Sequence, residues 1–507
     1  MRLPLIKFLT SSRLLLAAAA LFSAASCAAL GGKTAPVHKA PAYAVVVSQK
    51  TFDDPAWRAV VDALEKKHKA TRIVYASSVD EALPKLRERF PRYACFVAQP
   101  AEASREFAVA VHRLTRKLDD DPYTDCFWGI LTGYDAANAL RIARCAEPLT
   151  VRRVAAGTDV ALDMCEEGVW YSELKQGEMV RKEKGGKPRE LKGPADTTEA
   201  LAHTLTEYKA DLFVTSGHAT ERDWQIGYSY RNGQFRCENG ALYGLDTAGG
   251  KIPIESPNPK VFMPVGNCLM GHIVGPDAMA LAYMNSGGVN QMLGYVVSTW
   301  FGYAGWGCLD YFVEQPGRYT FTEAFFANQL ALQHRLVTFF PELVSAESDE
   351  NGATQTNIQL SNEARKAGLT ANDGRGLLFD RDYVAFYGDP AWEARMAKQD
   401  CAWDQTLEEK GGVFTFEIKP NRGADTFKPI NTNGSQRGGR PIVQFLPRRV
   451  RDIRILEGAD LAPVIADNFI LVPKPGKCDP RRKYRVVFQA APVEAVGFRL
   501  EALGWRL

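Results

Sequence analysis

Asp211-Leu-Phe-Val-Thr-Ser-Gly-His218 and Val261-Phe-Met-Pro-Val-Gly-Asn-Cys268 decide how the rest of the chain is read. Each is a short apolar run that stops at a glycine and a reactive side chain. Short apolar runs bounded by Gly read as strands buried on both faces, the pattern of a parallel sheet covered by helices. In such a sheet the residues just past a strand's carboxyl end line the binding rim. An imidazole at 218 and a thiol at 268, delivered to one rim, could reach one substrate carbonyl from two sides, as thiol nucleophilic catalysis requires. Each residue also has a plain reading, Cys268 as a small buried hydrophobe and His218 as a hydrogen-bonded loop residue. Repetition of the pattern in two neighbouring runs favours the chemical one. Pro264 is the local objection, because a proline inside a central strand removes a ladder donor.

Outward from this stretch, 507 residues are too many for one core and suggest two or three domains. A net charge of +3 with 24% charged residues gives no sign of nucleic-acid binding. Residues 1–27 read as an export signal: Arg2, Lys7 and Arg13 precede an apolar run, Leu14 to Phe22, too short to span a bilayer. Ala24-Ala-Ser-Cys27 resembles a bacterial lipoprotein processing site, which makes Cys27 the expected lipidation point and membrane anchor. Ordinary cleavage after small residues stays open, so the expected destinations are the bacterial outer membrane, the periplasm or the medium. Nine further cysteines then leave at least one thiol free in an oxidising compartment.

Residues 28–41 read as a flexible tether, and strand and helix patterns alternate from Tyr43 onward. Asp54-Pro55 caps a helix carrying Trp57, Val60, Val61 and Leu64, and Ser78 with Glu81 makes a capping box. Arg141 to Pro148 reads as a join, after which Val151 to Ala156 starts a second sheet. Seven Lys or Arg and three Glu between Lys175 and Lys192 mark an exposed hairpin or loop. Trp300, Phe301, Tyr303 and Trp306 follow a buried strand on a Gly-rich loop, as packing or as pocket walls. Beyond Trp403 short alternating runs without helical periods predict a β-sandwich. The expected division is a signal (1–27), a linker (28–41), an α/β subdomain (42–150), a second α/β subdomain (151–402) and a sandwich (403–507).

Thr215-Ser-Gly-His218-Ala-Thr-Glu-Arg-Asp-Trp224, followed by Gly266-Asn-Cys268, resembles the gingipain-type cysteine peptidases of the caspase-like superfamily. The caspase His also lies about 50 residues upstream of its Cys. Asp121-Pro-Tyr-Thr-Asp125 through Gly133, Val289 to Trp306, and Tyr387-Gly-Asp-Pro390 are similar to further motifs of that family, in its order. Two positions depart: Ala219 stands where the family has Gly, and Asn267 where it has a small residue. The resemblance implies a caspase-like, mostly parallel α/β sheet in two subdomains and an immunoglobulin-like trailing sandwich. It implies an exported cysteine endopeptidase acting on polypeptides, with Trp300 as a substrate-pocket wall and Asp163 lining the pocket or orienting the His.

In that chemistry Cys268 is the nucleophile and His218 the proton carrier, and the N–H groups of Cys268 and Ala219 form the oxyanion hole. No cofactor is required; structural calcium is a family feature. Two alternatives remain. One is a catalytically inactive peptidase-fold surface or binding protein, suggested by Ala219 and Asn267. The other is a metal-site hydrolase built on Cys268, His272, His218 and Cys237.

Overall fold

The computed structural model describes residues 43–432 and 438–493. The expected signal with Cys27 and the tether 28–41 lie outside the described residues. Twelve strands form one sheet, in the order Thr71–Tyr75, Tyr43–Ser48, Tyr93–Val97, Phe127–Leu131, Val384–Tyr387, Val289–Tyr295, Lys260–Pro264, Leu212–Thr215, Arg153–Ala156, Glu167–Tyr171, Glu178–Lys182, Arg189–Lys192. The first five are parallel to one another, and so are the next five. The two halves meet antiparallel, Val289–Tyr295 against Val384–Tyr387. The expected second sheet is therefore joined to the first, with Tyr387 opposite Met292 across the seam.

Because the halves run in opposite directions, the five parallel strands of the second half own one carboxyl rim. Loops leaving that rim begin after Ala156, Tyr171, Thr215, Pro264 and Tyr295. The two deciding runs are neighbours there, Leu212 opposite Val261 and Thr215 opposite Pro264. Both are buried along their whole length, and Phe213 stacks on Phe262 at 5.8 Å. Burying each such ring contributes roughly 1.5–3 kcal/mol. Pro264 costs no ladder bond. Val261 and Val265 donate to Asp211 and Thr215, so the alternate position 264 faces Val289–Tyr295, whose pairing with this strand ends at Phe262.

The chain between His218 and Lys260 folds as a four-stranded antiparallel sheet, Asp223–Gln225, Gln234–Glu238, Ala241–Leu245 and Lys251–Ile254. It buries Trp224, Phe235, Leu242 and Ile254. Asp54 caps Pro55–His68 through Ala56 N–H, and Thr320 with Glu323 makes the capping box of Phe321–Phe339. The basic stretch forms the outermost hairpin, its last strand exposed throughout. No helix among the described residues is long and apolar enough to cross a membrane.

The trailing region is a β-sandwich. Trp403–Lys410, Val413–Pro420, Tyr484–Pro492 and Val450–Glu457 form one antiparallel sheet, and Ile442–Phe445, Phe469–Val472 and Val464–Ile465 the other. Phe414, Phe416 and Ile418 alternate inward and meet Ile442, Ile470 and Val472. Val443, Phe469 and Leu471 instead join the α/β core, and Tyr311 donates to the Pro441 carbonyl at 2.6 Å. The sandwich is thus docked on the α/β part.

Candidate active site

Thr158, Glu173, His218, Cys268 and Thr299 each lie within four residues of a strand end on the shared rim. A direct tie draws two of these loops together. Asn267, fully buried, accepts from the Thr215 hydroxyl at 2.6 Å and donates through Nδ2 to the Gly217 carbonyl at 2.9 Å. The residue before Cys268 is thus bonded to the residue before His218. A carbonyl only accepts, so the amide nitrogen must face Gly217.

His218 is exposed, and its ring stacks on Tyr228 at 4.7 Å and 27°. The loop returns as a narrow hairpin in which Gln225 N–H donates to the His218 carbonyl and Trp224 Nε1 to the Ser216 carbonyl. The positive φ needed to turn the chain falls on Gly217, at +96°, while Ala219 keeps an ordinary φ and pairs with Trp224. A glycine is therefore not needed for backbone conformation at 219. A side chain at 217 would also press Glu173, since a Cβ there would lie 3.1 Å from Oε2. Glu173 accepts from the Thr158 hydroxyl at 2.9 Å, and its backbone carbonyl accepts from Tyr228 N–H. Burial pushes its carboxyl up to about 7, with the Thr158 and Ser216 hydroxyls offsetting part of the rise.

Cys268 is half-buried, and its Sγ accepts from the Thr299 N–H at 3.2 Å. The Thr299 hydroxyl donates to the Asn267 carbonyl at 2.9 Å, so one residue holds both the sulfur and the chain before it. Behind the sulfur Leu269 sits at φ +55°, a left-handed conformation that costs a non-glycine residue about 1–2 kcal/mol. Leu269 N–H to Val297 and Gly271 N–H to Tyr295 hold that turn. Trp300, next to Thr299, is 64% exposed and free to meet a ligand. Tyr303 and Trp306 are not on the loop: they lie buried in the helix Tyr303–Phe312. Gly305 permits this, since a Cβ there would lie 2.0 Å from the Val265 carbonyl.

Asp163 stands exposed in the 3-10 turn Leu162–Met164, where its carbonyl accepts from Lys182. The carboxylate brought against the His loop is Glu173. Its signal was legible: Gly168-Val-Trp-Tyr171 is another apolar run that ends at the rim, and Ser172-Glu173 follows it. Asn267 carried no such signal, because its partners are set by the packing of two loops.

Cys268, His272, His218 and Cys237, the set of the metal-site alternative, do not form a cluster of ligand atoms among the described residues; the Cys237 thiol donates to the Asp277 carbonyl at 3.0 Å, while Cys268 faces Thr299. Among the described residues the group able to hold a cation is Asp119, Asp121 and Asp467. Its all-oxygen donors suit calcium rather than zinc, and Arg449 already pairs with Asp467 and Asp119 there.

No family model and no curated protein matches the sequence. Among solved structures the chain is similar to the crystal structure of the Arg-specific cysteine proteinase gingipain R. The identity is 9% and the TM-score 0.42, over 90% of this chain and 99% of that one.

Proposed function

We propose that the protein is a cysteine endopeptidase in which Cys268 and His218 cleave peptide bonds through a thioester. The observation that carries this reading is the Asn267 bridge, which sets the two loops bearing an accessible thiol and an exposed imidazole against each other. The order of motifs in the sequence supports polypeptides as substrates.

The thiolate of Cys268 attacks the scissile carbonyl carbon, and the carbonyl oxygen takes the negative charge. As the tetrahedral intermediate collapses, His218 gives its proton to the departing amine. His218 then takes a proton from water, which attacks the thioester and releases the acid and the Cys268 thiolate, restoring the starting pair. The Cys268 and Ala219 N–H groups are the proposed oxyanion donors, each worth about 3 kcal/mol in such sites. The Thr299 N–H, 3.2 Å from Sγ, helps to fix where the sulfur sits. The exposed Trp300 is the proposed wall for a substrate side chain.

A peptide-library cleavage profile tests the reading. The native protein is expected to cut a defined subset of peptides and Cys268→Ala none. Cleavage that survives Cys268→Ala contradicts the mechanism, and no cleavage by either protein favours a non-catalytic surface protein.

A further inference from the structure

We propose that Asn267 is a positioning residue that holds the His218 imidazole in register with the Cys268 thiol. The inference rests on the peptidase reading and assigns a role to the position where the sequence departs from the family it resembles. Three bonds converge on this one residue: Thr215 hydroxyl to Oδ1, Nδ2 to the Gly217 carbonyl, and Thr299 hydroxyl to its backbone carbonyl. They link the ends of three neighbouring strands, Leu212–Thr215, Lys260–Pro264 and Val289–Tyr295. The Gly217 peptide is the hinge that decides where His218 points, because its φ of +96° is set at the residue just before the imidazole. Pinning the Gly217 carbonyl removes the rotation that would swing the ring away from the sulfur.

An amide fits this place and its isosteres do not. An aspartate at 267 would set a carboxylate oxygen against the Gly217 carbonyl, two acceptors facing each other in a buried site. An alanine would leave the Gly217 carbonyl without its donor. Misplacing a reacting group by about 1 Å can cost a hundredfold in rate, so the effect falls on turnover rather than on substrate affinity.

The test is a double-mutant cycle on the rate at which iodoacetamide alkylates Cys268, read by mass spectrometry at pH 7. An ordinary thiol is only about 3% ionised at that pH, so a working imidazole partner can speed the reaction by at most about thirtyfold. His218→Ala and Asn267→Asp are each expected to slow it about tenfold, and the double variant no further than His218→Ala alone. Peptide hydrolysis by Asn267→Asp should show a lowered kcat with KM unchanged. Asn267→Ala gives a second reading of the same cycle if the aspartate unfolds the protein, and thermal melts identify that case. The proposal is overturned if Asn267 variants slow alkylation equally with and without His218, or do not slow it at all. If His218→Ala itself leaves the rate unchanged, the pairing of thiol and imidazole fails, and this proposal with it.

Discussion

Replacing His218 by Ala is expected to cut peptide hydrolysis by about a hundredfold to ten-thousandfold, the usual worth of a positioned general acid–base, with the melting temperature unchanged. The two halves of this expectation come from different features. The imidazole is exposed and its ring meets Tyr228, so its removal opens no cavity in the core. The loop is held by main-chain bonds, Gln225 to the His218 carbonyl and Thr220 to the Asp223 carbonyl, that the substitution does not touch. Steady-state hydrolysis and thermal melts together check it. A fall in activity matched by a fall in melting temperature would mean that His218 holds the loop instead of moving protons.

Asp389→Ala is expected to destabilise the protein by roughly 3–5 kcal/mol, the cost of removing one partner from a buried ionic network. Asp389 is 1% exposed. It accepts from Tyr43 Oη at 2.8 Å, Lys67 Nζ at 2.9 Å, His68 Nε2 at 2.7 Å and Ala391 N–H at 3.0 Å. These partners place the end of the last sheet strand against the first strand and the helix Pro55–His68. Burial alone would push the carboxyl up, but the His68 hydrogen bond and the Lys67 charge outweigh it and hold it well below the usual carboxylate range. The folded form thus binds its proton less readily than the unfolded chain. The stability due to Asp389 is present above about pH 4, where an unfolded aspartate ionises, and is lost as pH falls further. Denaturant titrations of the native protein and Asp389→Asn should differ fully at pH 7 and converge below pH 4. A constant difference across that range would place the stabilisation in packing.

The site was legible where one strand and its loop tell the story, and illegible where distant segments do. Leu212 to His218 and Val261 to Cys268 announced strands and rim residues because burial on both faces demands an apolar run. Their side-by-side pairing follows from the topology. The seam between the sheet halves was not legible, since it depends on Val384–Tyr387 inserting beside Phe127–Leu131 from far along the chain. Nor was the helix at Tyr303, where Gly302, Gly305 and Gly307 lower helix propensity. Close approach to Val265 at Gly305 overrides that preference. Sequence names Asp163 as the acid that lines the pocket or orients the His, and the carboxylate packed beside Gly217 is Glu173, one strand further on, because neither loop's acid shows in sequence which way it turns. Asn267 looked like a defect beside Cys268 and is the residue that ties the rim together.

Site-resolved alkylation of the native protein tests the central claim most directly. Burial pushes the thiols of Cys95, Cys126, Cys165, Cys237, Cys308 and Cys401 up, and Cys145 is half-buried like Cys268. With limiting iodoacetamide at pH 7, Cys268 is expected to react at least about tenfold faster than any of these, as a thiol paired with an imidazole does. Labelling of Cys268 at the rate of Cys145 would contradict a nucleophile at that position.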